Sequence, residues 1–373
     1  MYPPPTGPEI SADVARTLDD TYFSADPFGY FTARIAALLA SVEDTGPRAG
    51  REPVPEGSAF DALVGAAARA YRAPTAEARK LQAATDAFAV RHHAAETLLR
   101  LTYVLLRRLG GQGSPSVWAE VEATPTLMKD VLKGIGDSFG AGDRWMIFQD
   151  LVYPATEHVE AQDLQRISGV TTFAEWFNFS MELFAPRTSL DVSVAHNKFK
   201  HGLGVRVRDD YLVTFTTSGP AEDGKLPLSA VTGPHAVNLF DKTVLQFLAR
   251  PGRLKQGMGL ESTTLQLNPT VLLAQAALIA HTYAAMFCVA AHEHFEGRDD
   301  VDEFRLAPYP GLLLDGPLPQ HITRENDVLA MRQALTLRRD GTAPREAMIF
   351  YADGSWQPIT FTGPVSSGHI VDD

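Results

Sequence analysis

The chain has 373 residues, 45% hydrophobic and 21% charged, which excludes a disordered polypeptide and is long enough to bury a sizeable core. Its formal net charge of −12 excludes a generic wrap on nucleic acid, which needs a local excess of lysine and arginine, although a small basic groove stays open. Its single cysteine, Cys288, leaves no intrachain disulfide, and the opening MYPPPTGPEI lacks the basic start and apolar core of a signal peptide, so the sequence reads as cytoplasmic.

Residues 1–27, Pro-rich at their start, are expected to be a flexible segment. A helix follows over 28–43, a Gly- and Pro-rich loop over 44–58, and an alanine-rich helix over 59–72. Thr75 as a cap and Gly110-Gly111 as a stop predict one long helix over 75–109. Shorter helices are expected at 115–122, 126–136 and 145–152. Thr172 and Glu175 stand at capping-box spacing and predict a helix over 171–185, ended by Pro186. The next helix, 186–202, runs to the stop signal Gly202-Leu203-Gly204.

The period then changes. Residues 205–217 alternate and predict a hairpin turning at Asp209-Asp210, and 243–250 and 262–268 read as two further strands. Asn268-Pro269 then opens a helix over 269–295, with Gly297 beyond its end. Its stretch 271–291 carries no formal charge and is long enough to span a membrane. Gln275, His281 and Thr282 interrupt it and no basic residues flank it closely, so it reads as the central core helix, with no membrane contact. In the tail, Asp340-Gly341 and Asp353-Gly354 signal hairpins. The fold class is therefore mainly α, a helical bundle formed by 28–202 and 268–297, with an inserted antiparallel β region at 203–267 and a C-terminal β meander in the extension 298–373, α+β overall. The bundle core is expected to be the helices at 75–109, 171–185, 186–202 and 269–295.

Three clusters of polar residues can carry chemistry. The first is AHNKFKHGLG, 195–204. Four residues are slightly more than one helical turn, so Asn197 and His201 share a face, and His196 and Lys200 share the neighbouring one. The His201 imidazole titrates near neutrality and suits general acid–base work; Asn197 can orient it, and Lys198 and Lys200 can meet an anion. The plain alternative is a polar helix end, where the helix dipole favours cations.

The second is RHHAAETLLR, 91–100, with His92, Glu96 and Arg100 spaced one turn apart. Glu96 beside an apolar stripe needs a partner, either Arg100 or an imidazole from His196 or His201. Alternatively His92 and Glu96 begin a metal site completed by His196 or His201. The third holds His281, His292, His294 and Glu296, and reads as a solvated helix end with His281 in the core. Trp118, Trp145 and Trp176 are taken as exposed and show no stacking pattern. The chain has no GxxxxGK[ST] loop, no Gly-x-Ser-x-Gly elbow and no CxxC pair.

His196-Asn197-Lys198-Phe199-Lys200-His201-Gly202 resembles the Arg-Asn-x-x-x-His signature of HEPN-domain proteins, small helical bundles that include metal-independent ribonucleases of toxin–antitoxin and antiviral systems as well as inactive members. Asn197 and His201 match the motif, and His196 stands where its arginine should be. The resemblance covers one helix and leaves the β regions aside. It implies that active members cut RNA by helping the ribose 2′-hydroxyl attack the phosphate, often where two protomers meet. Imidazole has neither arginine's permanent charge nor its fork of donors.

Three expectations result. One is a soluble, non-catalytic HEPN-like protein of a defence or toxin–antitoxin type system, binding RNA, a small anionic ligand or a partner as a homodimer. The second is a metal-independent ribonuclease with His201 as general acid/base, Asn197 as orienter, His196 at the arginine position, and Lys198, Lys200 or Arg100 for phosphate. The third is a metal-binding helical bundle at His92 and Glu96. Neither HEPN-like reading needs a cofactor. The 75–109 helix is expected to face the 186–202 helix, bringing His196, Asn197 and His201 near His92, Glu96 and Arg100.

Overall fold

The computed structural model of the chain describes residues 10–42, 62–63, 75–139, 143–154, 164–185, 190, 192–200, 204–211, 213–216, 234, 236–240, 243–249, 260–300, 316–322, 328–335, 346–351 and 355–359. They fall into two compact units, one helical (Met1–His196 with Asn268–Ile322) and one mostly β (Asn197–Leu267 with Thr323–Asp373). The mainly helical α+β class read from the sequence is what the structure has. The helix expected at 59–72, apart from 62–63, lies outside the described residues, as does the Gly- and Pro-rich loop expected at 44–58.

In the helical unit, α1 is Ala12–Phe23 and α2 is Gly29–Val42. The helix α1 corrects the expectation of a flexible 1–27. Ser11 caps it by accepting from the Val14 amide at 3.3 Å, Asp13 complements its dipole, and Ala15, Asp19 and Phe23 are buried. The Pro-rich opening suggested looseness, whereas the apolar spacing behind Ser11 dictates an anchored helix.

The spine of the unit is α3, Ala76–Leu109, a single helix of 34 residues. Thr75 caps it at the Ala78 amide, and Gly111, at φ +69°, takes the left-handed conformation that ends it. Four shorter helices follow: α4 (Val117–Glu122), α5 (Met128–Phe139), α6 (Arg144–Val152) and α7 (Leu164–Phe184). The capping box expected at Thr172 is corrected, because α7 begins at Leu164 and places Thr172, buried, well inside the helix. Thr-x-x-Glu spacing occurs within helices as well as at their starts. Trp176 is also corrected: it is 1% exposed, and its indole N–H donates to the Pro317 carbonyl at 3.1 Å.

The helix α8 is Val192–Lys200, and α9 is Pro269–Phe295, capped by the Asn268 side chain and followed by Gly297 at φ +69°. Apolar residues occur all round α9, and 72% of its most apolar stretch is buried among protein, so it is a core helix. It packs on α1, α2, α3, α6 and α7. Arg91 meets Gln275 and Thr102 meets Met286, so α3 and α9 run parallel in a constant register. Cys288 lies on α9, and burial pushes its thiol up to about 11. The unit also takes in α10, Pro319–Ile322, so the extension expected to start at 298 begins instead as part of the helical unit.

Two glycines of α5 make an internal comparison. A Cβ on Gly134 would lie 2.4 Å from the Tyr103 ring, while one on Gly136 would meet nothing within 4 Å. Gly136→Ala is therefore expected to stabilise the protein by about 0.5–1 kcal/mol through helix propensity. Gly134→Ala is expected to destabilise it by about 1–3 kcal/mol, since the ring must move. Urea unfolding of both variants checks the opposite signs.

In the β unit, β1 (Val205–Arg208), β4 (Val244–Ala249), β5 (Glu261–Gln266), β6 (Val328–Ala334), β7 (Ala347–Tyr351) and β8 (Trp356–Ile359) form one antiparallel sheet in the order β1-β4-β5-β6-β7-β8. A second sheet pairs β2 (Val213–Thr216) with β3 (Ala236–Phe240). The hairpin expected at Asp209-Asp210 is corrected: β1 pairs with β4, setting Val205 opposite Phe247, and β2 pairs with β3. Arg208 holds Asp210 through two hydrogen bonds of 2.5 and 2.8 Å, which occupies the expected turn with an ion pair. The tail meander is present as β6-β7-β8. Through the β5–β6 ladder, where Thr263 faces Arg332, it joins the inserted region in one sheet, so the two β regions are one unit. Phe240, Val244 and Met331 form a buried cluster there, covered by Tyr211, Val213, Val328 and Ile359.

Candidate functional site

The sequence-predicted residues separate into three groups. Asn197, Lys198 and Lys200 lie at the end of α8, where Asn197 and Lys200 are exposed and Lys198 is partly exposed. They fall in the β unit, whose boundary cuts α8 after His196. His201 lies outside the described residues.

His196 behaves differently. It is 5% exposed and stacks on His92, with ring centroids 4.6 Å apart and planes within 12°. His92, on α3, has no exposed surface. Its Nδ1 lies 2.9 Å from the Phe88 carbonyl, which can only accept, so Nδ1 carries the proton and Nε2 keeps a lone pair. Nε2 is sealed from solvent and has no hydrogen-bond partner among the described residues. Phe88 lies 4.3 Å from the His92 ring, and Phe184 stands edge-on to both imidazoles. Burial holds the His92 pKa well below the usual histidine value, and the nearby Arg91 charge and His196 push it further down.

Arg91 continues this interior. It donates from Nη1 to the Gln275 side-chain oxygen at 3.0 Å, and its guanidinium lies 5.4 Å from the Phe88 ring centre. Burial lowers its pKa to about 9, so it stays protonated at neutral pH.

Glu96 and Arg100 form the third group, a short ion pair along α3 at 2.9 Å. Arg100 also donates to the Thr124 hydroxyl at 2.6 Å and to the Pro125 and Thr126 carbonyls at 2.9 and 3.4 Å. This guanidinium ties α3 to the turn after α4. The expected convergence is thus partial: His196 meets His92, while Glu96 and Arg100 are directed to the 124–126 turn. His92 and Glu96 do not converge either, and among the described residues no group of three His, Cys, Asp or Glu side chains is placed to hold a metal ion.

Two ionic sites escaped the sequence reading. Asp20 of α1 binds both His294, at 2.7 Å, and Arg298, which also holds Asp300. Arg298, and then His294, lower the Asp20 carboxyl to about 2. Asp19, 2% exposed, accepts from the Ser116 hydroxyl at 2.7 Å and from the Val117 and Trp118 amides at 3.0 and 3.1 Å. It adds a second cap to α4, where Ser116 already accepts from the Ala119 amide. The Ser116 cap was readable, but a carboxylate almost a hundred residues upstream left no local signal. In the third polar cluster, His281 is half-buried edge-on to Phe28 at 4.5 Å, its Nδ1 is buried with no hydrogen bond among the described residues, and burial lowers its pKa; His292 is exposed. No protein-family model matches the chain, and no curated protein or solved structure is significantly similar to it.

Proposed function

We propose that the chain is a non-catalytic HEPN-like protein that holds an anionic ligand at the exposed end of α8, as a homodimeric cytoplasmic member of a defence or toxin–antitoxin type system. The observation that carries this reading is the burial of His196. The residue at the position of the motif's arginine stacks on His92, while Asn197 and Lys200 on the same helix face solvent. An imidazole held in a ring stack is withdrawn from the place where a phosphate would need charge. Arg100, the other cation of the predicted set, is committed to Glu96 and the 124–126 turn. Lys198 and Lys200, both in the last turn of α8, are cations that suit a phosphate backbone without attacking it.

The test is a labelled single-stranded RNA followed by fluorescence anisotropy, with gel analysis of the same RNA in chelator. The expected outcome is salt-dependent binding, weakened roughly tenfold by the double variant Lys198→Glu/Lys200→Glu, and an intact RNA. Binding indifferent to salt and to both lysines overturns the ligand reading. Cleavage in chelator that vanishes in His201→Ala replaces it with the ribonuclease reading.

A further inference from the structure

The helix α8 has a small footing. Of its nine residues only Ala195 and His196 are buried. A helix this short does not hold in water by itself, so α8 persists through its packing. His196 supplies that packing as a ring laid flat on His92, with Phe88 and Phe184 beside both imidazoles. The same ring covers His92, whose side chain has no exposed surface. The nitrogen of His92 that would take a proton is the sealed Nε2, so water reaches it only when the cover lifts. The charges around His92 do not welcome an imidazolium. Arg91 lies next to it on α3, and Lys200 follows His196 by one turn on α8. Glu96, one turn further along α3, is held by Arg100, while Phe184 of α7 and Gln275 of α9 are neutral. A proton on His92 inside the stack would be a desolvated charge beside Arg91 with no counter-ion among the described residues. Burial and the Arg91 charge accordingly hold the His92 pKa well below the ordinary value.

We propose that the His92–His196 stack is an acid-released latch: in acid the protonated His92 excludes the His196 ring, and α8 leaves α3 and melts while α3 and α9 stay folded. The release is local because α3 and α9 bury many more side chains, against each other and against α2 and α7, than the two that hold α8. Opening takes up one proton, so below about pH 6.5 its equilibrium constant grows roughly tenfold for each pH unit. The latch concerns how α8 is held, and it does not depend on what α8 binds.

Amide hydrogen exchange of the full chain between about pH 8 and pH 5, corrected for the intrinsic pH dependence of exchange, tests the latch. Protection of the α8 amides is expected to be level above about pH 6.5 and to fall roughly tenfold per pH unit below it. At every pH, α8 is expected to be less protected than the centres of α3 and α9, and to lose its protection while they keep theirs. His92→Phe keeps a ring under His196 and removes the proton site, so its α8 protection is expected to be level across the range. Should His92→Phe not fold, His92→Leu is read in its place. His196→Phe keeps the cover and leaves the proton site, and its α8 protection is expected still to fall in acid. Protection of α8 that is level in the unaltered protein, or that still falls in the His92 variant, overturns the latch. Loss of protection in α8, α3 and α9 together at one common level also overturns it and makes the acid response one of the whole unit.

Discussion

The protein is expected to lose stability steadily as the pH falls below about 6.5, before its carboxylates begin to protonate. His92 carries the effect. In the folded chain its pKa lies well below the ordinary value of 6.5, because of burial and because Arg91 and His196 stand beside it. From the unfolded value down to the folded one, the unfolded chain takes a proton that the folded chain refuses, so lowering the pH favours unfolding. The slope is about 1.4 kcal/mol per pH unit for each such histidine, and His281, depressed by burial, adds in the same direction. The groups facing His92 are Arg91 from its own helix and His196 from α8, with the ring of Phe184 from α7, and no carboxylate is among them to stabilise an imidazolium. His92→Phe keeps the ring packing and removes the titration. Urea unfolding from about pH 8 to pH 5 should show the variant gaining about 2 kcal/mol on the unaltered protein across the range. Parallel pH profiles for the two proteins would remove His92 as the cause. Asp20 and Asp210 act in a separate window: both are lowered to about 2 from 3.8, so their contributions disappear only as the pH falls from about 4 toward 2.

The second large effect is at Asp19. This carboxylate is buried against the start of α4, where it accepts three hydrogen bonds and lies 3.9 Å from Arg108. Asp19→Ala leaves the buried Ser116 hydroxyl and Val117 amide, and the part-buried Trp118 amide, without their acceptor, and its expected cost is about 3–5 kcal/mol. Ser116→Ala alone should cost about 1 kcal/mol, since it removes the Ala119 cap and one donor to Asp19. The double variant should be less destabilised than the sum of the two, because both residues act on the same helix end. Chemical unfolding of all three variants measures this. An Asp19→Ala protein as stable as the unaltered one would show that α1 and α4 are held by their apolar contacts alone.

The parts of the fold that were legible in the sequence are those set by short-range rules. Thr75, Asn268 and the glycines 111 and 297 mark the ends of the two long helices because caps and left-handed stops depend on neighbouring residues. The apolar surface all round residues 269–295 identified a core helix for the same reason. Strand positions were legible from alternation, but the partner of β1 was not: alternation fixes which residues share a face and is silent on which strand lies alongside. At the candidate site, the proximity of His92 and His196 followed from two helices each placing an imidazole on its inner face. That Arg100 would turn to the 124–126 turn, and that Arg91 would enter the core without a carboxylate, depends on packing between distant segments. Neither choice has a counterpart in spacing or composition.

The β5–β6 ladder has a consequence for the growing chain. These strands are neighbours in the finished sheet, yet roughly sixty residues, including the whole of α9, are synthesised between them. At roughly 5–20 residues per second, β5 waits several seconds with its hydrogen-bonding edge open. During that interval the edge is a template for any extended segment, including the β5 of a neighbouring nascent chain. Thr263, Thr264 and Leu265, buried once β6 arrives, make it a strand with strong pairing tendency and no charge at its centre. The most hazardous moment for aggregation therefore falls during synthesis, after α9 has emerged and before β6 has closed the sheet.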